Sequence, residues 1–149
     1  MEQLKEFTEI KELLDTKQYT TLRQYLAELN DADIAVLTMN GETITSCHID
    51  SLQAKVAFDA AGAITTDLTA NVQTKNQLGV AYGMKAYAGS AYEWNEQAAA
   101  FASYVTGKTA AEVAGIAVNE KTAPTDADLA STVTIAVGGF QALIAKAAQ

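Results

Sequence analysis

The run over residues 76–109, NQLGVAYGMKAYAGSAYEWNEQAAAFASYVTGKT, constrains the fold most, because it feeds a glycine- and tyrosine-rich loop into a punctuated amphipathic helix. Six of the chain's eleven aromatic residues fall in it, so a core has to be built around this stretch. Ser90 followed by Glu93 has the capping-box spacing, in which each side chain satisfies an orphan amide of the first turn. Beyond it, Trp94, Ala98, Phe101, Ala102 and Val105 recur at helical spacing, and Gly107 stands where a left-handed residue closes a helix. The pattern predicts a helix over 91–106 forming one wall of a core, with the loop free to cover something.

The chain before this stretch changes period once. Over residues 1–31, Leu4, Phe7, Ile10, Leu13 and Leu14 make one apolar stripe, and Leu22, Tyr25, Leu26 and Leu29 make another, entered through Thr20 or Thr21 and ended at Asn30-Asp31. The short connection between them predicts a helical hairpin. From Ile34 the period becomes two. IAVLTM and ETITSCHI flank Asn40-Gly41, a hairpin signal read as a type I′ turn. LQAKVAF and AITTDL flank a second turn, and together these runs predict an antiparallel meander of about four strands, with 69–77 as a further short strand or a loop.

After the central helix, Thr109 and Glu112 repeat the capping-box spacing and open a short helix ended by Gly115. Leu129, Val133, Val137, Phe140, Ile144 and Ala147 then recur at helical spacing, either as one helix from Asp126 or as a loop followed by a helix from about Thr134. Helices, then antiparallel strands, then helices make an α+β fold: an N-terminal helical hairpin, the meander, and C-terminal helices packed on the sheet.

The totals exclude several function classes. A length of 149 residues suits one domain with a real core. A net charge of −8 repels phosphate backbones, which argues against nucleic acid as a partner. One cysteine and one histidine exclude an internal disulfide, a cysteine-based zinc cluster and paired-histidine metal chemistry. No run reaches membrane-spanning length, and MEQLKEFTEIKELL is charged throughout, unlike a signal peptide, so a cytoplasmic location is expected for the chain as written.

Two resemblances add to this. ELLDTKQYTTLRQYLAELNDADIAVL, residues 12–37, resembles the start of the cytoplasmic N-terminal domain of MgtE-type magnesium transporters, through Asn30, Ala32, Asp33, Ile34 and Ala35; Asp31 stands where that family has proline. It implies a helical scaffold piece, not transport; residues 1–31 are then read as a helical-hairpin extension, whether a natural fusion, a truncated open reading frame or an artificial join, and a docking unit for a transporter-like partner is the weaker alternative. From about residue 32 to the end, TITSCHIDSLQAKVAFDAAGAITTD, TKNQLGVAYGMK, EWNEQAAAFASYVTGKTAAEVAGI and PTDADLASTVTIAVGGFQALIAKA resemble bacterial exported, lipoprotein-type proteins related to the FMN-binding domain. That resemblance implies an FMN-binding-like domain over 32–149, a flavin-carrying electron-transfer module with a redox partner protein, and relatives that are exported or membrane-anchored. It places Thr132 at the flavin-bearing position, with Ser131 and Thr134 beside it and Tyr82, Gly83, Tyr87 and Tyr92 along the loop. Leu129 and Ala130 depart from the family's serine and glycine. The alternative is a non-catalytic domain for a small-molecule ligand or a protein partner that keeps the fold without the cofactor.

Other residues read as structural. Trp94 opens the apolar stripe and belongs in the core. Glu93, Glu96 and Glu112 lack the ligand series of a hard-cation site and read as a solvated acidic face. Cys47 and His48 are adjacent on a strand, so they point to opposite faces and form no thiolate–imidazole dyad, Cys47 sharing a face with Ile49.

Overall fold

The computed structural model describes residues 31–149. The two expected N-terminal helices, and the greater part of the stretch resembling magnesium transporters, lie outside the described residues. The described residues divide between two compact units: Asp33–Leu52 with Gln73–Gln149 in one, and Gln53–Val72 in the other.

Strands β1 (Asp31–Asn40) and β2 (Thr43–Gln53) form an antiparallel hairpin. Their connection is Gly41-Glu42, and only Gly41 takes a positive φ (60°), which corrects the expected type I′ turn on Asn40-Gly41. Glycine at the first central position with an ordinary second residue is the type II′ pattern, whose twist also suits a hairpin. β2 carries one extra residue. Ile44 exchanges hydrogen bonds with Gly107 and Lys108 on the edge away from β1, and Ile49 O accepts from Asn76 Nδ2 on that same edge. Positions five apart share an edge only if a bulge intervenes, and Thr45 and Ser46 are both exposed, placing it there. Counting back from the turn sets Met39 opposite Ile44, Leu37 opposite Cys47 and Ala35 opposite Ile49, the side chains that meet the core.

Helices α1 (Lys75–Leu78), α2 (Met84–Ala88), α3 (Trp94–Val105), α4 (Ala110–Ala114), α5 (Ala127–Ala130) and α6 (Gly138–Ala147) follow, with a 3₁₀ turn at Gly79–Tyr82. The central helix starts at Trp94, so its N-cap is Glu93 and the capping box closes on Glu96, three residues beyond the expected Ser90–Glu93 pair. The Thr109–Glu112 box opens α4 where the spacing placed it. Ile44 and Ile49 meet Trp94, Phe101, Val105, Val113, Val133, Val137, Phe140 and Ile144 in one core, and Trp94 lies edge-on to Phe140 at 5.9 Å. Trp94 is therefore a core residue, as its place on the stripe implied.

Among the described residues two strands form the sheet, a correction to the meander of about four; the broader α+β class holds. LQAKVAF and AITTDL touch through the single bridge Phe58–Ile64. Side chains replace the ladder there: Asp59 Oδ1 accepts from the amides of Ala61 and Ala63, and Thr66 Oγ1 accepts from Ala57 N. The segment is rich in alanine, and none of the described residues 53–72 is buried, so no sheet face is covered.

The same small hairpin occurs again at 117–125. Asn119 Oδ1 accepts from Lys121 and Ala123, and Asn119 N donates to Ala123 O, as Asp59 N does to Ala63 O. Thr125 N donates to Ala117 O as Thr65 N does to Ala57 O, and the bridge is Val118–Pro124. Gly62 (φ 84°) holds the left-handed position in the first copy, and Thr122 (φ 57°) holds it in the second.

Candidate functional site

The expected flavin positions fall into three groups. Ser131 and Thr132 end α5: Ser131 Oγ donates to Asp128 O at 2.7 Å, and Thr132 Oγ1 donates to Leu129 O at 3.3 Å. Thr132 Oγ1 thus closes a helix end, in a turn that also carries the carboxylates of Asp126 and Asp128. The phosphodiester anion of a flavin esterified there would meet like charge, so these residues fit FMN poorly. Tyr82 and Gly83 sit beside α1 and α2, with Lys75 Nζ 5.3 Å from the Tyr82 ring and 5.1 Å from the Trp94 ring. The Tyr87 ring lies over Gly83 and is 91% exposed, a surface ring covering backbone.

The third group, Tyr92 and Thr134, is drawn together by a residue that the sequence did not single out. Gln97 is fully buried in α3. Its Oε1 accepts from Thr134 N (2.8 Å), Thr134 Oγ1 (3.1 Å) and Ile135 N (3.2 Å), and its Nε2 donates to Tyr92 O (3.1 Å) and Ser90 Oγ (3.2 Å). Every polar atom of the carboxamide is used, so Gln97 clamps two loops and has nothing left for a ligand. By taking the amides of residues 134 and 135, which in one continuous helix from Asp126 would meet carbonyls four residues back, it excludes that continuous helix; the last helix starts at Gly138.

Glu93, expected on a solvated face, is 3% exposed. Its carboxylate accepts from Met84 N (2.8 Å) and Lys85 N (3.3 Å), capping α2 while its backbone caps α3. Glu96 pairs with Lys85 at 2.8 Å, which holds its carboxyl below the usual range. Glu112 is likewise held low, by the amide and hydroxyl of Thr109. The three carboxylates therefore serve separate local roles, and no cluster suited to a metal ion forms among the described residues.

The cleft with the most chemistry lies elsewhere, along the outer edge of β2. Bridges at Thr43–Thr109 and Leu52–Thr74 close its two ends. Between them, residues 45–49 face a stripe of α3 made of Asn95, Ala99, Ala102, Ser103 and Thr106, with Asn76 of α1 at one end, around a volume of about 510 Å³. Asp50 holds Asn76 in place: its Oδ1 accepts from Ser51 N (2.8 Å) and from Asn76 N (3.1 Å). Asn76 Nδ2 then donates to Ile49 O at 2.9 Å and lies 3.5 Å from His48 Nε2. Among the described residues, no aspartate, glutamate, lysine or arginine lines this cleft.

Two buried oxygens at this end of the molecule, Asn95 Oδ1 and Ser51 Oγ, have no hydrogen-bond partner among the described residues. Asn95 is in the lining. Burial pushes the Cys47 thiol up to about 11, so it is a neutral, weakly nucleophilic group at neutral pH. His48 is exposed on the other face of the strand, as the alternation of side chains required. The cleft is thus a set of neutral donors and acceptors, suited to hold a ligand by hydrogen bonds. The sequence signal for it was weak, because its residues come from β2, α1 and α3 and share no spacing. A second cleft, of about 500 Å³ between the β1–β2 turn, the start of α4 and the last residues, is lined largely by alanine and glycine.

No helix among the described residues is long and apolar enough to cross a membrane. No protein-family model, curated protein sequence or solved structure matches this chain.

Proposed function

We propose that this chain is a non-catalytic binding module whose ligand, small or segmental and uncharged where it is held, occupies the cleft between β2 and α3. One observation carries the reading: in a chain of net charge −8, the described residues lining this cleft include no acidic or basic side chain other than His48, and one of them, Asn95, has a buried Oδ1 with no partner among the described residues. Orphaned buried acceptors are costly and rare, and a ligand donor is one way to satisfy them. The test is a thermal-shift screen of neutral amides, polyols and nucleosides on the full chain, followed by side-chain amide NMR. A ligand of this site is expected to move the Asn76 and Asn95 carboxamide signals and to lose affinity in Asn95→Ala. Hits whose affinity is indifferent to Asn95→Ala and Asn76→Ala would sink the assignment.

A second reading, a flavin-carrying electron-transfer module, rests on the resemblance to the FMN-binding domain; Gln97 brings the chain at Tyr92 and Thr134, two of its positions, to one carboxamide. That reading expects a flavin absorption band and an FMN-sized mass increment after export alongside a flavin transferase, both lost in Thr132→Ala. A colourless protein at its plain polypeptide mass, still colourless after soaking in FMN, would remove it.

A further inference from the structure

The open edge of β2 identifies the chemistry of the occupant, given that the cleft is a binding site. Since Ile44 and Ile49 present their main-chain groups to this edge on either side of the bulge, alternation puts the amide and carbonyl of Cys47 and the amide of Ile49 there too. Among the described residues no hydrogen bond from outside the β1–β2 hairpin reaches these three groups, and the flanking bridges lie beyond them, at Thr43 and Leu52. The fourth group, Ile49 O, is already met by Asn76 Nδ2 at 2.9 Å, a carboxamide donor in the place of a neighbouring strand's N–H.

The geometry points to an extended peptide segment of a partner protein, added as an antiparallel strand in the groove between β2 and α3. One peptide residue exchanges both hydrogen bonds with Cys47, and a carbonyl two residues along accepts from Ile49 N; Asn76 supplies the remaining bond and ends the ladder. The groove wall agrees with this. Ala99 and Ala102 leave space for a side chain pointing towards α3, and Asn95 beside them has a buried Oδ1 with no partner among the described residues. With no carboxylate, lysine or arginine in the lining, recognition rests on the main chain, and the inserted residues are neutral.

The experiment is amide hydrogen exchange on the isotope-labelled full chain, with the blocked peptide acetyl-Thr-Val-Thr-Val-Thr-amide at millimolar concentration. A matched peptide N-methylated at alternate residues is the control. The Cys47 and Ile49 amides are expected to exchange freely in the protein alone and to slow about tenfold or more with the first peptide. The N-methylated peptide is expected to have no effect. Ala99→Phe, which fills the groove from an exposed position, is expected to abolish the protection while leaving the denaturation midpoint unchanged. Protection of both amides in the free protein would overturn the inference, since the edge would then be closed. Equal protection by the N-methylated peptide would overturn it too, since main-chain pairing would not be the source. Small neutral ligands that move the Asn95 signal while neither peptide does anything would overturn the strand and leave the binding module standing. Silence from both kinds of probe would remove both.

Discussion

Gln97 shows how much one polar residue can carry when it is buried and fully used. Replacing it with leucine keeps the volume but strands the amides of Thr134 and Ile135 and removes the donor to Tyr92 O. Each buried group left unpaired costs about 1–3 kcal/mol, so Gln97→Leu is expected to lower stability by roughly 3 kcal/mol or more in urea unfolding. Thr122 works in the other direction. A β-branched residue at φ 57° stores strain that its counterpart Gly62 avoids. Asparagine tolerates that region without glycine's entropy loss, so Thr122→Asn is expected to stabilise by about 0.5–1 kcal/mol, read as a higher denaturation midpoint. Cys47 adds a pH dependence. Its folded value, about 11, lies above the ordinary 9.0, so the folded state holds the proton more tightly than the unfolded chain. Its contribution is therefore fully present below pH 9, and is lost as pH rises towards 11. Compared with Cys47→Ala, the native chain is expected to lose part of its stability advantage across that window; a gap that stays constant would show that the thiol titrates normally.

Among the elements, α2 depends on a neighbour. It is five residues long, too short to persist alone, and the Glu93 carboxylate meets its first two amides. Glu93→Ala is expected to speed amide exchange over 84–90 and to cost about 1 kcal/mol through the lost cap, while Phe101 and Val105 in α3 keep their protection. Loss of protection throughout α3 would instead make Glu93 a support of the whole core. Elements set by local chemistry were legible in the sequence: the apolar stripe of α3, the Thr109–Glu112 box and the β1–β2 hairpin. Elements set by distant partners were not. The Ser90–Glu93 spacing satisfies the same local rule as Glu93–Glu96, and the Gln97 carboxamide, which takes Ser90 Oγ as acceptor, decides between them. The C-terminal stripe reads as continuous, yet Gln97 interrupts it from 37 residues away along the chain. The cleft was illegible for the same reason: the bulge that turns Cys47 and Ile49 to the open edge appears only once the turn has fixed the register of β2.

For the whole molecule, the distribution of burial matters more than the count of elements. Among the described residues, every buried core residue lies in the unit formed by Asp33–Leu52 and Gln73–Gln149, from Ile44 to Ile144. The described part of the other unit, 53–72, has no buried residue and exposes Ile64 and Leu68. The two small hairpins thus have nearly the same hydrogen bonds in different settings. The one at 117–125 is tied to the core unit by Val137 N donating to Thr122 O, and Thr122 also packs against Gly138. Among the described residues, the one at 57–65 is held by its own main-chain bonds and by the Asp59 and Thr66 side chains. Local hydrogen bonds without apolar burial give a low free energy of opening, whereas amides over a packed core open only with global unfolding. Native-state hydrogen exchange is therefore expected to rank the Ala63 amide far below the equivalent Ala123 amide. Phe101→Ala, which removes a fully buried ring at a cost of about 3–5 kcal/mol, is expected to lower the protection of Ala123 by a similar amount and to leave that of Ala63 unchanged. If both amides fell together, the two hairpins would belong to one cooperative unit.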